Sequence, residues 1–281
     1  MTVREALAKG TDILRNAGIE APAVDAGVML CHVLDCDRTW LYAHGEEEMD
    51  AAGMEKYAFA LSKRSSGMPV QYVTGRQEFM GLDFHVGPGV LIPRQDTEII
   101  VERAIEIGRG FGSGVKILEI GTGSGCIAVS LAYFLKDCFV AAVDVSEKAL
   151  EIARLNAISN GVAGRIEFIR SNLFDSLHMS GFDMIVSNPP YIRHEEILQL
   201  ERKVRDFEPL LALDGGMDGL AFYRRITAKA PGFLKEKGYL AFEVGIDQAA
   251  DVANLMKGCF AGITIAKDLA GIERVVTGQL Y

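Results

Sequence analysis

The spacing of hydrophobic and polar residues divides the chain into a helical first part and a longer part in which strands and helices alternate. In residues 2–66, apolar residues recur three and four positions apart, which indicates amphipathic helices. From about residue 114, short apolar runs alternate with helical stretches, as is typical of a parallel sheet covered on both faces. The pattern therefore predicts an α/β fold preceded by a small N-terminal helical domain.

Seven strands and three helices are predicted in the second part. The strands lie at residues 116–120, 139–144, 166–170, 184–187, 239–244, 264–268 and 273–278. The helices lie at residues 126–136, 147–159 and 222–234. The turn Leu269-Ala270-Gly271 lies between the last two strands, so we expect these two to pair antiparallel. The prediction is thus a Rossmann-like sheet of seven strands.

Two segments between these parts alternate in polarity like the strands of a hairpin. They are residues 70–75 and 81–87, punctuated by Gly75 and Gly81, and we predict that they form a β-hairpin connector.

Three domains follow from this division, at residues 1–68, 69–92 and 93–281. The first is helical, the second is the hairpin connector, and the third holds the sheet. The helical domain is either a plain bundle or a docking module, and we expect it to dock a substrate, since function resides in sites added to a fold.

The segment before the first helix of the third domain is rich in polar residues. That helix should begin near residue 98, with Thr97 or Asp96 as its N-cap. Arg94, Asp96 and Glu98 either line a cleft or form ion pairs at the start of the helix.

A glycine-rich turn follows the first predicted strand of the sheet. It consists of Gly121, Thr122, Gly123, Ser124 and Gly125, and such a turn lets the backbone approach a ligand closely. In the dinucleotide-binding pattern the third glycine comes one residue later. Glu119 at the strand end also disfavours a pyrophosphate but suits a cationic ligand, such as the sulfonium and α-ammonium groups of S-adenosylmethionine.

The next two strand ends carry further candidate cofactor contacts. Asp144 ends the second strand, where an acid can accept hydrogen bonds from both ribose hydroxyls. Asn172 and Leu173 follow the third strand, where a polar side chain and an apolar side chain suit the amine and the face of an adenine ring. A sheet with tight turns, a surface aspartate and a plain loop would explain the same residues without any ligand.

The segment Asn188-Pro189-Pro190-Tyr191 follows the fourth predicted strand, and open α/β sheets bind ligands at such carboxyl ends. A planar –NH2 group fits this corner, because Asn188 Oδ1 and the Pro189 carbonyl can accept its two hydrogens while Tyr191 covers its face. Pro190 stiffens the turn. Together with the glycine turn, the segment predicts methyl transfer from S-adenosylmethionine to a planar amino or amide nitrogen.

The composition of the chain bears on its partners, its cellular location and its metal content. The net charge of −9 argues against broad contact with nucleic acid, which needs a clustered basic face. The five cysteines include no CxxC pair, and the five histidines are scattered, so we expect a reducing, cytoplasmic location and no metal site. No stretch has the length of apolar sequence that a membrane span needs.

Several segments together resemble one family, the glutamine-N5 methyltransferases that modify peptide chain release factors. They are PVQYVTG (69–75), LIPRQDTE (91–98), NPPY (188–191), FEP (207–209) and LDGGMDGL (213–220). The resemblance covers nearly the whole chain. It implies an N-terminal helical domain that helps to grip the release factor, followed in the sequence by a seven-stranded class I methyltransferase domain. It also implies that the substrate is the glutamine of a Gly-Gly-Gln loop. The product formed from the cofactor would be S-adenosylhomocysteine. The family usually has an aspartate at the position of Asn172, which puts the adenine contact there in question.

Two other functions remain open at this point. NPPY alone is shared with DNA adenine and RNA guanine methyltransferases, so an exocyclic amine of a flipped base is an alternative acceptor. A non-catalytic binding module with the same fold is the other alternative. The acidic net charge disfavours the first, and the combination of glycine turn, Asp144 and NPPY disfavours the second.

Overall fold

The computed structural model describes residues 1–281, which form two compact units. The first unit comprises Met1–Arg76 and Glu201–Phe207, and the second comprises Gln77–Leu200 and Glu208–Tyr281. The α-helices are α1 Val3–Asn16, α2 Pro22–Leu34, α3 Arg38–Ala43, α4 Ala51–Ser65, α5 Val70–Thr74, α6 Glu98–Gly110, α7 Cys126–Phe134, α8 Glu147–Ser159, α9 Arg202–Arg205, α10 Ala221–Lys229 and α11 Ala249–Met256. The strands are β1 Arg76–Phe79, β2 Leu82–His85, β3 Val115–Ile120, β4 Cys138–Asp144, β5 Ile166–Arg170, β6 Phe182–Ser187, β7 Leu234–Glu243, β8 Phe260–Lys267 and β9 Glu273–Leu280. None of the helices combines the length and the apolar character that crossing a membrane requires.

The first unit is helical, as the sequence predicts. Thr2 and Glu5 form a capping box at the start of α1, and Asp50 caps α4 by accepting a hydrogen bond from Gly53 N. Apolar side chains from α1, α2 and α4 pack into one core, while Arg64 and Asp25 form an ion pair at 2.7 Å with both side chains nearly buried.

The predicted strand at residues 70–75 is wrong, because this segment is helix α5. The Pro69 carbonyl accepts hydrogen bonds from the backbone N–H groups of Tyr72 and Val73, which starts a helical turn. Val70 and Val73, three positions apart, pack against the core of the first unit, so tertiary packing overrides the alternating pattern. The hairpin itself exists, but its first strand is β1 rather than residues 70–75.

The large sheet has seven strands in the order β5-β4-β3-β6-β7-β9-β8. The first five in this order are parallel, and β9 is antiparallel to both β7 and β8, which confirms the predicted terminal pair. The chain winds outward from β3 through β4 to β5 and then returns to place β6 on the other side of β3. The strand order therefore reverses between β3 and β6, which is the position where open α/β sheets bind ligands.

Two details at the helices differ from the sequence-based prediction. Thr97, one of the two predicted N-cap residues, occupies the N-cap position of α6, but its side chain makes no capping hydrogen bond, because residues 95–97 form a 3-10 turn. The helix predicted at 222–234 ends at Lys229 as an α-helix, and a short 3-10 turn containing Pro231 follows, since proline cannot supply the N–H that would continue it.

Candidate active site

A cavity of about 370 Å³ lies in the second unit at the carboxyl ends of four parallel strands, β3 to β6. Its volume is in the range of sites that hold a drug-sized ligand. The predicted site residues in its wall are Gly121, Thr122, Gly123, Ser124, Asp144, Asn172, Leu173, Asn188, Pro189 and Pro190. The structure therefore brings together candidates that the sequence spreads over nearly seventy residues, about a quarter of the chain. Gly125 and Tyr191 are not part of this wall.

The pairing register places the two main motifs side by side. Ile120 at the end of β3 pairs with Ser187 at the end of β6, so Gly121 and Asn188 emerge from adjacent positions of the sheet. The buried hydroxyl of Ser187 donates to the Ile120 carbonyl at 2.7 Å, which ties the two strand ends together. Whatever the glycine turn holds is therefore next to the side chain of Asn188.

The glycine turn is not arranged as an anion-binding loop, because four of its five N–H groups already have acceptors within the protein. Gly121 N and Thr122 N donate to the Val143 carbonyl, Gly125 N donates to the Thr122 carbonyl, and Gly123 N donates to Asp144 Oδ2. Phosphate-binding loops instead direct such N–H groups at the ligand. The structure thus agrees with the sequence argument against a dinucleotide.

Gly125 contributes through close packing against the neighbouring helix. It has φ of +80°, and a Cβ at this position would come within 2.9 Å of the Ala153 Cβ on α8. Only glycine therefore allows the turn and α8 to approach this closely.

Glu119 presents an unsatisfied carboxyl oxygen at the cavity. Its side chain is 1% exposed, Oε2 accepts a hydrogen bond from the Thr122 hydroxyl, and Oε1 has no partner. Burial, with a smaller contribution from nearby Asp144, raises the pKa of this carboxyl from its ordinary 4.5 to about 8, and the Thr122 hydrogen bond opposes the shift. An unpaired buried carboxyl oxygen is costly without a donor, so this position suits a cationic or hydrogen-bond-donating ligand.

Asp144 is held by the backbone around it. Oδ2 accepts from Gly123 N and Oδ1 from Ser146 N, both at 2.9 Å. Burial raises the pKa of this carboxyl, although the backbone hydrogen bonds oppose that shift. Each carboxylate oxygen retains a further lone pair, so both remain able to accept a hydroxyl hydrogen from a ligand.

Asn172 has a partner that the sequence did not indicate. Arg225 on α10 donates from Nη2 to Asn172 Oδ1 at 3.1 Å, and its guanidinium lies 5.7 Å from the ring centroid of Phe222. Arg225 and Phe222 both line the cavity beside Asn172 and Leu173. One lone pair of the Asn172 oxygen is therefore occupied, while its amide nitrogen stays available for a ligand.

Asn188 contacts two residues from other elements of the second unit. Its Nδ2 donates to the hydroxyl oxygen of Thr97 at 3.3 Å. The carboxyl group of Glu243, at the end of β7, lies close to both side chains. Burial raises the pKa of Glu243 to about 7, and the nearby donors of Thr97 and Asn188 oppose the shift.

Tyr191 lies behind the cavity rather than in its wall. Its ring packs against the apolar cluster on one face of the sheet, and burial raises the pKa of its phenol to about 12. A Cβ on Gly215 would come within 2.7 to 2.8 Å of the Tyr191 backbone and the Pro190 carbonyl. The glycine-rich segment after residue 213 therefore packs directly against the backbone of NPPY. Its predicted function as a cover over a bound amide stays a prediction.

The predicted rim residues form ion pairs. Arg94, which lines the cavity, pairs with the buried Glu208 at 2.6 Å, and Asp96 pairs with Arg274 on β9 at 2.8 Å. Glu98 Oε1 accepts from Met80 N at 2.7 Å. These contacts fix the segment before α6. No group of three or more His, Cys, Asp or Glu side chains is arranged to hold a metal ion.

Two family models match this chain. The model described as PrmC N-terminal domain matches residues 5–75, and the model described as Methyltransferase small domain matches residues 98–206. The release factor glutamine methyltransferase of Clostridium acetobutylicum is 39% identical over 279 residues, which is 98% of each chain. That of Moorella thermoacetica is 41% identical over 276 residues, covering 98% of this chain and 97% of the relative. The chain belongs to the release factor glutamine methyltransferase family.

Membership confirms the resemblance inferred from the motifs, and the α/β methyltransferase fold with it. A solved structure supports the fold independently. A methyltransferase from Pyrococcus furiosus is 20% identical to this chain, has a TM-score of 0.52, and covers 72% of this chain and 90% of its own.

Four side chains contact the predicted site residues although the sequence predicts no such interaction for them, and one of the four, Thr97, lies within LIPRQDTE. Thr97, Glu243 and Arg225 contact the predicted residues as described, and Gln248 donates to the Tyr191 carbonyl. Thr97 was predicted only as a helix cap. Glu243 is the last residue of β7, as Asp144 is of β4, although the predicted strand runs one residue further. A carboxylate near a strand end is the one signal that could have marked Glu243.

Proposed function

We propose that this chain transfers a methyl group from S-adenosylmethionine to the side-chain amide nitrogen, N5, of the glutamine in the Gly-Gly-Gln motif of peptide chain release factors. S-adenosylhomocysteine is the second product. The observation that carries the proposal is the position of Asn188, a side-chain amide beside the glycine turn at the point where the strand order reverses.

The residues of the cavity fit S-adenosylmethionine. Glu119 Oε1, buried and without a partner, suits the α-ammonium group, and the Asp144 carboxylate suits the two ribose hydroxyls. Asn172 Nδ2 and the Leu173 side chain suit the edge and the face of the adenine ring. When bound, this cofactor supplies an electrophilic methyl group on a cationic sulfur.

A glutamine amide is a poor nucleophile, since its nitrogen lone pair is delocalised into the carbonyl. The protein's task is therefore to position the nitrogen in line with the methyl group rather than to remove a proton in advance. We assign Asn188 Oδ1 and the Pro189 carbonyl as acceptors for the two amide hydrogens. Both also stabilise the positive charge that develops on nitrogen as the bond forms.

The remaining NPPY residues support this arrangement. Pro190 restricts the turn because its φ is fixed. Tyr191 stays protonated at neutral pH, with its pKa raised to about 12, so we assign it packing and water exclusion rather than base catalysis. No nearby side chain is required as a strong base, because the proton leaves after the nitrogen has gained its methyl group.

We further propose that residues 1–68 form the docking domain for the release factor, residues 69–92 the connector and residues 93–281 the catalytic domain. We place the reaction in the cytoplasm. The five cysteines are all unpaired, which suits a reducing compartment.

The direct test incubates the purified chain with methyl-labelled S-adenosylmethionine and a purified release factor, followed by mass spectrometry of the Gly-Gly-Gln peptide. We expect one added methyl group on the glutamine side chain and none on a release factor whose motif glutamine is alanine. Duplex DNA and RNA serve as competing acceptors. Labelling of nucleic acid and not of the release factor would contradict the proposal and favour a base amine as the acceptor.

A further inference from the structure

Glu243, Thr97 and Asn188 meet from three different elements of the second unit. Phe242 on β7 pairs with Ser187, the last residue of β6, so Glu243 at the end of β7 lies beside Asn188, which directly follows β6. Thr97, at the end of the 3-10 turn before α6, accepts a hydrogen bond from Asn188 Nδ2. The carboxyl group of Glu243 lies close to both side chains, whose donors lower its pKa.

Stability alone does not explain a carboxyl group at this position. Glu243 is 3% exposed, and its Oε2 has no hydrogen-bond partner. A buried carboxyl oxygen without a donor destabilises the folded state relative to an apolar side chain of similar size.

The three side chains are placed to form a series of hydrogen bonds, and that series can run in only one direction. An ionised carboxylate has acceptors and no donor, so the single hydroxyl hydrogen of Thr97 points to Glu243. The Thr97 oxygen is then left as an acceptor, and Asn188 must present its nitrogen rather than its oxygen. Because the two arms of a planar amide point in different directions, Asn188 Oδ1 is directed away from Thr97.

We infer that Glu243 and Thr97 are positioning residues that fix the orientation of the Asn188 amide, so that Oδ1 and not Nδ2 is offered to the substrate. The inference rests on the proposed function, in which Oδ1 accepts a hydrogen from the glutamine amide. A flipped Asn188 would direct its own N–H groups at those of the substrate, and two donors cannot bond to each other.

The direction of these hydrogen bonds depends on whether Glu243 is protonated. A neutral carboxyl group carries a hydrogen that it can donate to Thr97, and Thr97 can then donate to Asn188, which allows the flipped amide. Turnover should therefore rise with pH as Glu243 ionises. The titratable or charged groups that face it are Asp96, Arg274, Tyr191, Tyr223 and Cys126. Of these, Asp96 raises its pKa and Arg274 lowers it.

Four variants separate positioning from simple loss of packing. Glu243→Leu and Thr97→Val remove a link of this series, whereas Glu243→Gln and Thr97→Ser keep an acceptor and a hydroxyl, respectively. We expect the first pair to lower kcat for a release factor by about tenfold or more, as loss of a preorganised polar contact does. Thr97→Ser should recover most of it, whereas Glu243→Gln should hold kcat near the wild-type value at low pH, because its amide can donate to Thr97 as a protonated carboxyl group does. The dissociation constant for S-adenosylhomocysteine should change less than about threefold in all four.

A matched control is Asp183→Asn. Asp183 is a buried acid at the opposite end of β6, where it accepts from Lys116 N at 2.8 Å and pairs with Lys235. This variant should lower the melting temperature while leaving kcat and its pH profile unchanged. The wild-type increase of kcat between about pH 6 and pH 8 should become flat in Glu243→Gln, since an amide does not titrate in this range.

The decisive test is a double-mutant cycle that combines Glu243→Leu with Asn188→Ala. Methyl transfer is measured with a radiolabel assay that is sensitive enough for slow variants. If Glu243 acts through Asn188, adding Glu243→Leu to Asn188→Ala costs less than about twofold further. Additive losses, or a kcat of Glu243→Gln that still rises with pH as the wild-type kcat does, would overturn the inference. Failure of the wild-type chain to methylate any release factor would instead count against the proposed function. Should Glu243→Leu fail to fold, Thr97→Val and Thr97→Ser carry the same cycle.

Discussion

The side-chain Nε2 of Gln248 donates a hydrogen bond to the main-chain carbonyl of Tyr191 at 3.0 Å. Its Oε1 accepts from Gly245 N at 3.1 Å, so one buried amide joins the end of NPPY to the loop after β7. Gly219 packs against the same contact, and a Cβ there would come within 2.4 Å of the Tyr191 oxygen. NPPY is therefore held at its Tyr191 end as well as at Asn188.

Replacing Gln248 with Leu should loosen this end of NPPY. We expect kcat to fall several-fold while affinity for S-adenosylhomocysteine stays within about threefold, and stability to fall by about 1–3 kcal/mol because two buried backbone groups lose their partners. Steady-state kinetics and chemical denaturation measure both. The matched control is Gln279→Leu, which removes a similar bond to the Lys237 carbonyl on an exposed part of the sheet. Equal kinetic effects in the two variants would contradict a specific contribution of Gln248.

Glu119 should make cofactor binding depend on pH. With its pKa near 8 in the free protein, this carboxyl is mostly protonated at pH 7, and a cationic ligand requires it ionised. Binding at pH 7 should thus release up to about one proton per site. Calorimetry in buffers of different ionisation enthalpy measures this release, which should largely disappear in Glu119→Gln. Unchanged proton release in that variant would show that another group titrates.

The same raised pKa has a consequence for stability without ligand. The folded state holds this proton above the ordinary Glu pKa of 4.5, and the unfolded chain does not. The free energy of unfolding should therefore decrease as pH rises from about 5 to about 8, and the slope should be shallower in Glu119→Gln. Denaturant titrations across this pH range give the comparison.

Asn172 should contribute to recognition of the adenosine part of the cofactor. Asn172→Ala removes one ligand hydrogen bond and releases Arg225, so we expect adenosine-containing ligands to bind more weakly by about 0.5–1.5 kcal/mol. Asn172→Asp keeps the partner of Arg225 but loses the amide hydrogens. Calorimetric titration with S-adenosylhomocysteine tests this, and equal affinity in Asn172→Ala and wild type would place the adenine elsewhere.

The buried ion pair of Arg64 and Asp25 should matter for the first unit alone. Asp25→Ala leaves an unpaired buried guanidinium and should destabilise this unit by about 3–5 kcal/mol. Hydrogen exchange should increase in residues 1–76, and Asp25→Leu combined with Arg64→Met should restore part of the protection. If exchange instead increases equally throughout the chain, the two units unfold together.

Much of this fold was predictable from the sequence because parallel strands are continuous apolar runs. β6 is buried along its entire length, and β5 has the predicted bounds. Residues 70–75 were mispredicted because alternation over six residues also places Val70 and Val73 three apart, and the choice depends on the core available to them. Sequence spacing does not encode that core.

The candidate site was predictable to the extent that motifs follow strand ends. Gly121, Asp144 and Asn188 all do, and their meeting follows from the topology of the sheet. Thr97 was expected to cap a helix because capping is a local rule, but its hydroxyl contacts Asn188, 91 positions away in the chain. Glu243 and Arg225 likewise act across long sequence separations, which a single sequence does not reveal.

The role of Asn188 can be tested with one variant, Asn188→Ala, assayed on a purified release factor alongside S-adenosylhomocysteine titration. We expect affinity for S-adenosylhomocysteine within a few-fold of wild type and a loss of methyl transfer by roughly 10²-fold or more, the size found when a charge-stabilising contact is removed. Wild-type turnover at saturating cofactor, with cofactor affinity as the property lost, would contradict Asn188 as the acceptor for the glutamine amide.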